Sequence, residues 1–414
     1  MKTTLKKIVS LALVLCTVCV FTLTSCFGGG NGGNVISQNE MIDQLGGVSE
    51  TFEGAISEES YASAEEAATA YVEEEIAGSS ASANVTEVKS VATLSESEIA
   101  SVIPESLREG VDSVEEYEVT YSINESSSYV DAGDNGIQAL DTLNKTKTVK
   151  VYVIKCGPDW KYYTPMPLTG ETISQAYYNS VFDSEKYKNC TFKYEQTMDM
   201  DISASGAGQA ASGTMQMTMT QIIKHADNKV YLEQTISTTG TGVYAQEDVS
   251  NALSNMNSYA YMEEVDGVLN CYIKQGNSTE WVKGSLTTIG FSNIEELTPF
   301  YNQYLDYSYF TKTEYGFKLE KENAKQYVSQ TLEQLGSMVD SIFDEDSLTI
   351  FAEYFVSNGV LSGMRMDMDI NIDMDLGELS GGQASGSIKM SGASTGVMTC
   401  TNYGSTVVEK PFTE

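Results

Sequence analysis

Histidine is almost missing from this sequence: His225 is the only one among 414 residues. Without a second histidine, a Ser-His-Asp or Cys-His relay has one candidate base, and a zinc site of usual composition cannot be assembled. His225 stands in Ile223-Lys224-His225-Ala226-Asp227, at an expected strand end where a solvated side chain is the ordinary case. Basic residues are also scarce, 24 Lys+Arg against 58 Asp+Glu, for a formal net charge of −34. So acidic a chain repels nucleic acid and anionic lipid headgroups, and neither is expected as an electrostatic partner. No Walker-type phosphate loop is present, and nothing singles out two carboxylates for glycoside chemistry. The chain is therefore read as non-enzymatic and without a cofactor.

Long apolar runs are limited to one, Ile8 to Leu23, preceded by Lys2, Lys6 and Lys7. It is short for a spanning helix and fits a signal-peptide core. Directly behind it, Leu23-Thr24-Ser25-Cys26 resembles the lipobox of bacterial lipoproteins. The resemblance implies removal of residues 1–25 and lipidation of Cys26, which places the protein on the extracytoplasmic face of the cell membrane, at a Gram-positive surface. Two or three acyl chains at about 0.8 kcal/mol per buried methylene make such an anchor effectively permanent. Residues 26–56 are expected to form a tether, because Phe27-Gly28-Gly29-Gly30-Asn31-Gly32-Gly33-Asn34 offers almost nothing to pack.

Cysteine is sparse as well. Once Cys16 and Cys19 leave with the signal and Cys26 is acylated, Cys156, Cys190, Cys271 and Cys400 remain. Their three possible pairings cannot be ranked from sequence, and their wide separation fits isolated buried thiols at least as readily as a disulfide framework.

What the chain does have is 41% hydrophobic and 10% aromatic content, enough to build cores in two or three domains. The fold class expected is α+β: a small helix-plus-sheet domain over 57–167, then a large curved antiparallel half-barrel with covering helices over 177–414. In the first, Ser63 with Glu66 and Ser95 with Glu98 fit capping boxes. One helix should run to about Ala77, and the other should be interrupted near Pro104. Strands are expected at Glu116 to Ile123, Thr148 to Cys156 and Trp160 to Tyr163. This order, closed by Trp160-Lys161-Tyr162-Tyr163, is similar to the nuclear-transport-factor-like cone fold.

In the second domain the pattern changes to long alternating strands. In Phe192, Tyr194, Gln196, Met198, Met200 and Ile202 nearly every even position is apolar or aromatic, while Lys193, Glu195, Asp199 and Asp201 take the other face. Met364, Met366, Met368, Ile370, Ile372, Met374 and Leu376 alternate in the same way with Arg365, Asp367, Asp369, Asn371, Asp373 and Asp375. Period two over this span means one strand of roughly 40 Å with a buried and a solvated face. Gly/Ser-rich stretches at Ser203 to Gly213 and Gly377 to Ser387 should link these strands to partners at Met215 to Met219 and Ile388 to Met390. Shorter strands are expected at 228–233, 258–265, 269–274 and 280–283, and helices at about 293–304 and 323–343.

The set resembles the LolA/LppX-like lipoprotein fold and an uncharacterised Gram-positive group within it. The residues that carry this are Val265-Asp266-Gly267, Cys271-Tyr272, Trp281-Val282-Lys283, the Met364 to Asp375 alternation, Asn402-Tyr403-Gly404 and Glu409-Lys410-Pro411. The resemblance implies an apolar interior that admits an acyl chain and transfers no catalytic residues. Its lining would be Met198, Met200, Met215, Met217, Met219, Met364, Met366, Met368, Ile370, Ile372 and Met374.

Unbranched, polarizable methionine suits either an adaptable cavity or plain core packing. Thioether pairs could hold Cu(I), but isoleucine and leucine continue the stripe and cannot ligate. The aspartates at 199, 201, 367, 369, 373 and 375 read as a solvated strand face before they read as a calcium site. Asp131 to Gly136 lacks the ligands of a calcium loop. The leading expectation is a carrier of a hydrophobic or amphiphilic ligand, and the rival is an envelope structural or interaction protein with a filled core.

Overall fold

The structure is a computed structural model. It describes residues 37–48, 52–76, 83–125, 143–206, 209–242, 257–266, 268–276, 278–284, 307–319, 323–324, 348–375 and 386–412. Residues 1–25, Cys26 and the Asp131 to Gly136 stretch lie outside them. The described chain runs α1 Gln38–Gln44, β1 Ala55–Ile56, α2 Ala64–Tyr71, β2 Ala83–Thr93, α3 Glu96–Val102, β3 Ser113–Glu125, β4 Leu143–Cys156, β5 Asp159–Thr164 and α4 Gln175–Val181. It continues as β6 Asn189–Gly206, β7 Gln209–Ala226, β8 Lys229–Gly240, β9 Ser258–Val265, β10 Val268–Gln275 and β11 Val282–Gly284. The last strands are β12 Phe310–Thr313, β13 Gly316–Leu319, β14 Leu348–Ser357, β15 Val360–Asp375 and β16 Gly386–Thr401. No helix among the described residues is long and apolar enough to cross a membrane.

The chain forms two compact units and is α+β. The smaller comprises Thr51–Val181 and Tyr304–Glu314. Its sheet has the order β1-β5-β4-β3-β2, antiparallel where registers are defined. The small side chains of Ala64, Ala67 and Ala68 let α2 lie close on Tyr117, Val119, Val151 and Val153. Ser63 caps α2 by accepting from Glu66 N at 3.2 Å, while the Glu66 carboxylate reaches Ala62 N at 3.0 Å. At α3 the Ser95 amide donates to the Glu98 carboxylate at 2.8 Å, and the helix stops at Val102 with Ile103 extended ahead of Pro104.

Two local outcomes differ from expectation. The helix expected to reach Ala77 ends at Tyr71 and passes into a π-helical turn, Val72–Ile76. β2 has no counterpart in the sequence pattern, because register shifts at Val85/Glu87 and Ser90/Ala92 break its alternation. The distant segment at 304–314 joins this unit through Tyr307, whose hydroxyl donates to Glu74 O at 2.7 Å, and through β12, where Lys312 N donates to Glu171 O at 2.8 Å.

The larger unit comprises Met1–Glu50, Phe182–Gln303 and Tyr315–Glu414. Its strands follow the order β11-β10-β9-β8-β7-β6-β16-β15-β14-β13. The expected alternating strands lie inside β6, β7, β15 and β16. β6 and β7 run well into the Gly/Ser stretch expected as a loop. The helix expected at 293–304 lies outside the described residues, as does that at 323–343 apart from Asn323 and Ala324, which are helical. Within the stretch expected as a tether, residues 38–44 form α1. Its capping box at Ser37/Glu40 is complete, Met41 is fully buried, and Gln38 donates to Glu353 on β14 at 2.7 Å. All four cysteines downstream of Cys26 are free thiols, three of them buried.

Candidate functional site: the methionine face

Pairing in register brings the expected lining residues onto one face. Rows run across β15, β16 and β6 in turn: Met364–Met398–Tyr194, Met366–Gly396–Gln196, Met368–Ser394–Met198 and Ile370–Gly392–Met200. β6 and β7 pair with the register Asn189↔Ala226 and Cys190↔His225. Hydrogen bonds of 2.9 Å between Thr197 and Thr218 hydroxyls, and from Gln216 to Asp199, carry that register along the pair. Met198 and Met200 are thereby set beside Met217 and Met215. Met198, Met200, Met215, Met217, Met219, Met364, Met366, Met368 and Ile370 are all buried, at 4% exposure or less. The backbones of Ile372 and Met374 pair with Met390 and Ile388, but their side chains lie outside the described residues.

Of the middle strand of this face the sequence pattern showed only the first part, Ile388 to Met390; the rest of β16 carried no strand signal. On β16 the inward residues are Met398, Gly396, Ser394, Gly392 and Met390, so small side chains form a track between methionines of β15 and methionines of β6. The track carried no hydrophobic signal, since Gly396, Ser394 and Gly392 look like loop composition.

At the Gly396 end stand two polar groups in apolar surroundings. Gln196 is 1% exposed and its Nε2 donates to Ser394 Oγ at 3.2 Å, while its Oε1 has no hydrogen-bond partner. Tyr194, one rung away, buries a hydroxyl that likewise has none, and burial pushes its titration well above the ordinary phenol range. A buried donor and a buried acceptor left unmatched each cost about 1–3 kcal/mol, so the pair calls for a partner.

His225 corrects an expectation. It is 2% exposed, not solvated, and its Nδ1 lies 2.6 Å from Lys188 O. Its place opposite Cys190 turns it to the buried face of the β6–β7 pair, and burial pushes the Cys190 thiol up to about 12. Burial thus disfavours the thiolate form of Cys190.

The opposite face carries Asp199, Asp201, Asp369 and Asp373, all exposed, with Asp373 paired to Lys389. Among the described residues no three acidic, cysteine or histidine groups gather to hold a metal ion. Two open grooves of about 540 and 670 Å³ lie over this polar side, lined by Asp201, Thr214 and Ser391 in both cases.

No protein family and no curated protein matches the chain. Two solved structures show a faint likeness. A DUF1329 family protein from Desulfovibrio piger aligns over 55% of this chain and 91% of its own at 10% identity, with a TM-score of 0.15. OccK7 (OpdD) of Pseudomonas aeruginosa aligns over 70% of this chain and 93% of its own at 9% identity, with a TM-score of 0.10. At such scores neither assigns a fold.

Proposed function

We propose that this protein is a non-enzymatic extracytoplasmic lipoprotein, anchored through Cys26, that binds a hydrophobic or amphiphilic ligand against its methionine face. In this reading the large sheet curves as a half-barrel of the LolA/LppX-like kind, with helices closing over the track. The observation that carries it is the Gly396–Ser394–Gly392 track between methionine-bearing strands, ending at the unmatched Tyr194 hydroxyl and Gln196 carbonyl. Methionine side chains adapt to acyl chains of varied shape. The two polar atoms suit the hydroxyl or carbonyl of a headgroup.

Titration with a fluorescent fatty acid tests it. Saturable binding is expected, weakened about 2- to 10-fold in Tyr194→Phe, the worth of one hydrogen bond. No uptake by a folded protein would overturn it.

The second reading is an envelope scaffold whose core is filled by its own side chains. It is favoured by the burial of the methionine face, which reaches 0% exposure at Met217. Full binding of the fatty acid would exclude it.

A further inference from the structure

Among the described residues, the exposed large apolar side chains of the larger unit are Val265, Val268, Val282 and Val407. Val265 and Val268 stand on β9 and β10 at one end of the sheet, while Val282 of β11 pairs with Ile273 and so lies on the other face. Val265 and Val268 are register partners at the tip of the β9–β10 hairpin, 47% and 60% exposed, on the same face as Tyr261 and Tyr272. Phe412 closes on that face, 4.7 Å from Tyr272 and 5.3 Å from Trp281 between ring centroids. Lys410 lies over Tyr272 at 5.3 Å, and Lys274 lies over Tyr259 at 3.9 Å and Trp281 at 5.6 Å.

We propose that this corner is a second contact with the bilayer, seating on a zwitterionic lipid surface beside the Cys26 anchor. Exposed aliphatic groups, rings with one apolar and one polar end, and lysines with long apolar stems are the set that a headgroup–hydrocarbon boundary accommodates. Glu263 lies on the same face, bound by the Tyr261 hydroxyl at 2.6 Å, and the exposed Asp266 follows Val265 in the hairpin turn, which disfavours anionic headgroups and selects uncharged surfaces.

Reach agrees. α1 lies on the same face of the sheet, since a side chain at Gly363 would meet Met41 and Leu45. Five strand spacings separate β15 from β9, about 24 Å. The eleven residues from Phe27 to Ser37 span at most about 40 Å from the anchor. The reach argument rests on the anchor reading; the chemistry of the corner does not.

The test uses the mature chain with Cys26→Ser, so that failure of the anchor reading leaves it intact. Co-sedimentation with phosphatidylcholine vesicles is expected, with added phosphatidylglycerol giving no increase. The chain has two tryptophans, Trp160 and Trp281. In Trp160→Phe the emission of Trp281 should shift to the blue and be quenched by lipids brominated on the acyl chain. Val265→Asp with Val268→Asp, two exposed positions that leave the core untouched, should lower partitioning at least tenfold with an unchanged melting temperature. Absence of co-sedimentation, or equal partitioning of the aspartate variant, would overturn the proposal. So would quenching of Trp281 by a soluble glycan without any response to vesicles.

Discussion

Arg365 Nε donates to Glu353 Oε2 at 2.7 Å across the β14–β15 pair, and the other oxygen of Glu353 accepts from Gln38 of α1 at 2.7 Å. Glu353 is 3% exposed. One buried carboxylate therefore fastens α1 to the sheet and depends on Arg365 for its counter-charge. Replacing Arg365 by Met keeps the apolar stem but strands the charge, and should cost about 3–5 kcal/mol in denaturant unfolding. Adding Glu353→Gln should restore most of that, because no buried charge remains.

Met217 has no exposed surface and sits between the β6 and β8 strands of the methionine face. Met217→Ala should destabilise the protein by about 2–5 kcal/mol, measured by urea unfolding. The same change at the exposed Val407 should stay within about 0.5 kcal/mol.

The long strands were legible because each buries one face only. Met364 to Asp375 alternates without a break, and the whole span lies in β15. The serine caps at Ser63 and Ser95 were legible for an equally local reason. β14 was not, because Ile350, Ala352, Tyr354, Phe355 and Val356 are all buried and leave no period of two. β13, at four residues, is too short to show one. The β16 track was hidden by its glycines, and the burial of His225 by its dependence on a partner strand. Residues 304–314 join the smaller unit through contacts far apart in sequence, which no local pattern encodes.

Glu75 sits in the π-helical turn, and burial raises its carboxyl above the ordinary 4.5, opposed by hydrogen bonds from Ala176 N and the Tyr162 hydroxyl. Folding thus tightens its hold on a proton. Its contribution to stability is greatest at low pH and is lost as pH rises from 4.5 through the raised folded value. Thermal melts across that window should show this decline, and Glu75→Gln should flatten it.

The thiols should react in order of access. Burial raises all four, and Cys156 alone is only partly buried. Iodoacetamide at mildly alkaline pH should label Cys156 first in the native protein. Cys190 and Cys400 should remain unmodified until denaturant is added, as read by peptide mass spectrometry.

The most direct measurement of the ligand reading is mass spectrometry of organic extracts from the gently purified Cys26→Ser protein, beside the same protein carrying Met366→Asp with Met368→Asp. A lipid in stoichiometric amount that is lost from the folded variant is the predicted result. An extract empty of lipid, or one with equal lipid in both proteins, would contradict a ligand held on the methionine face.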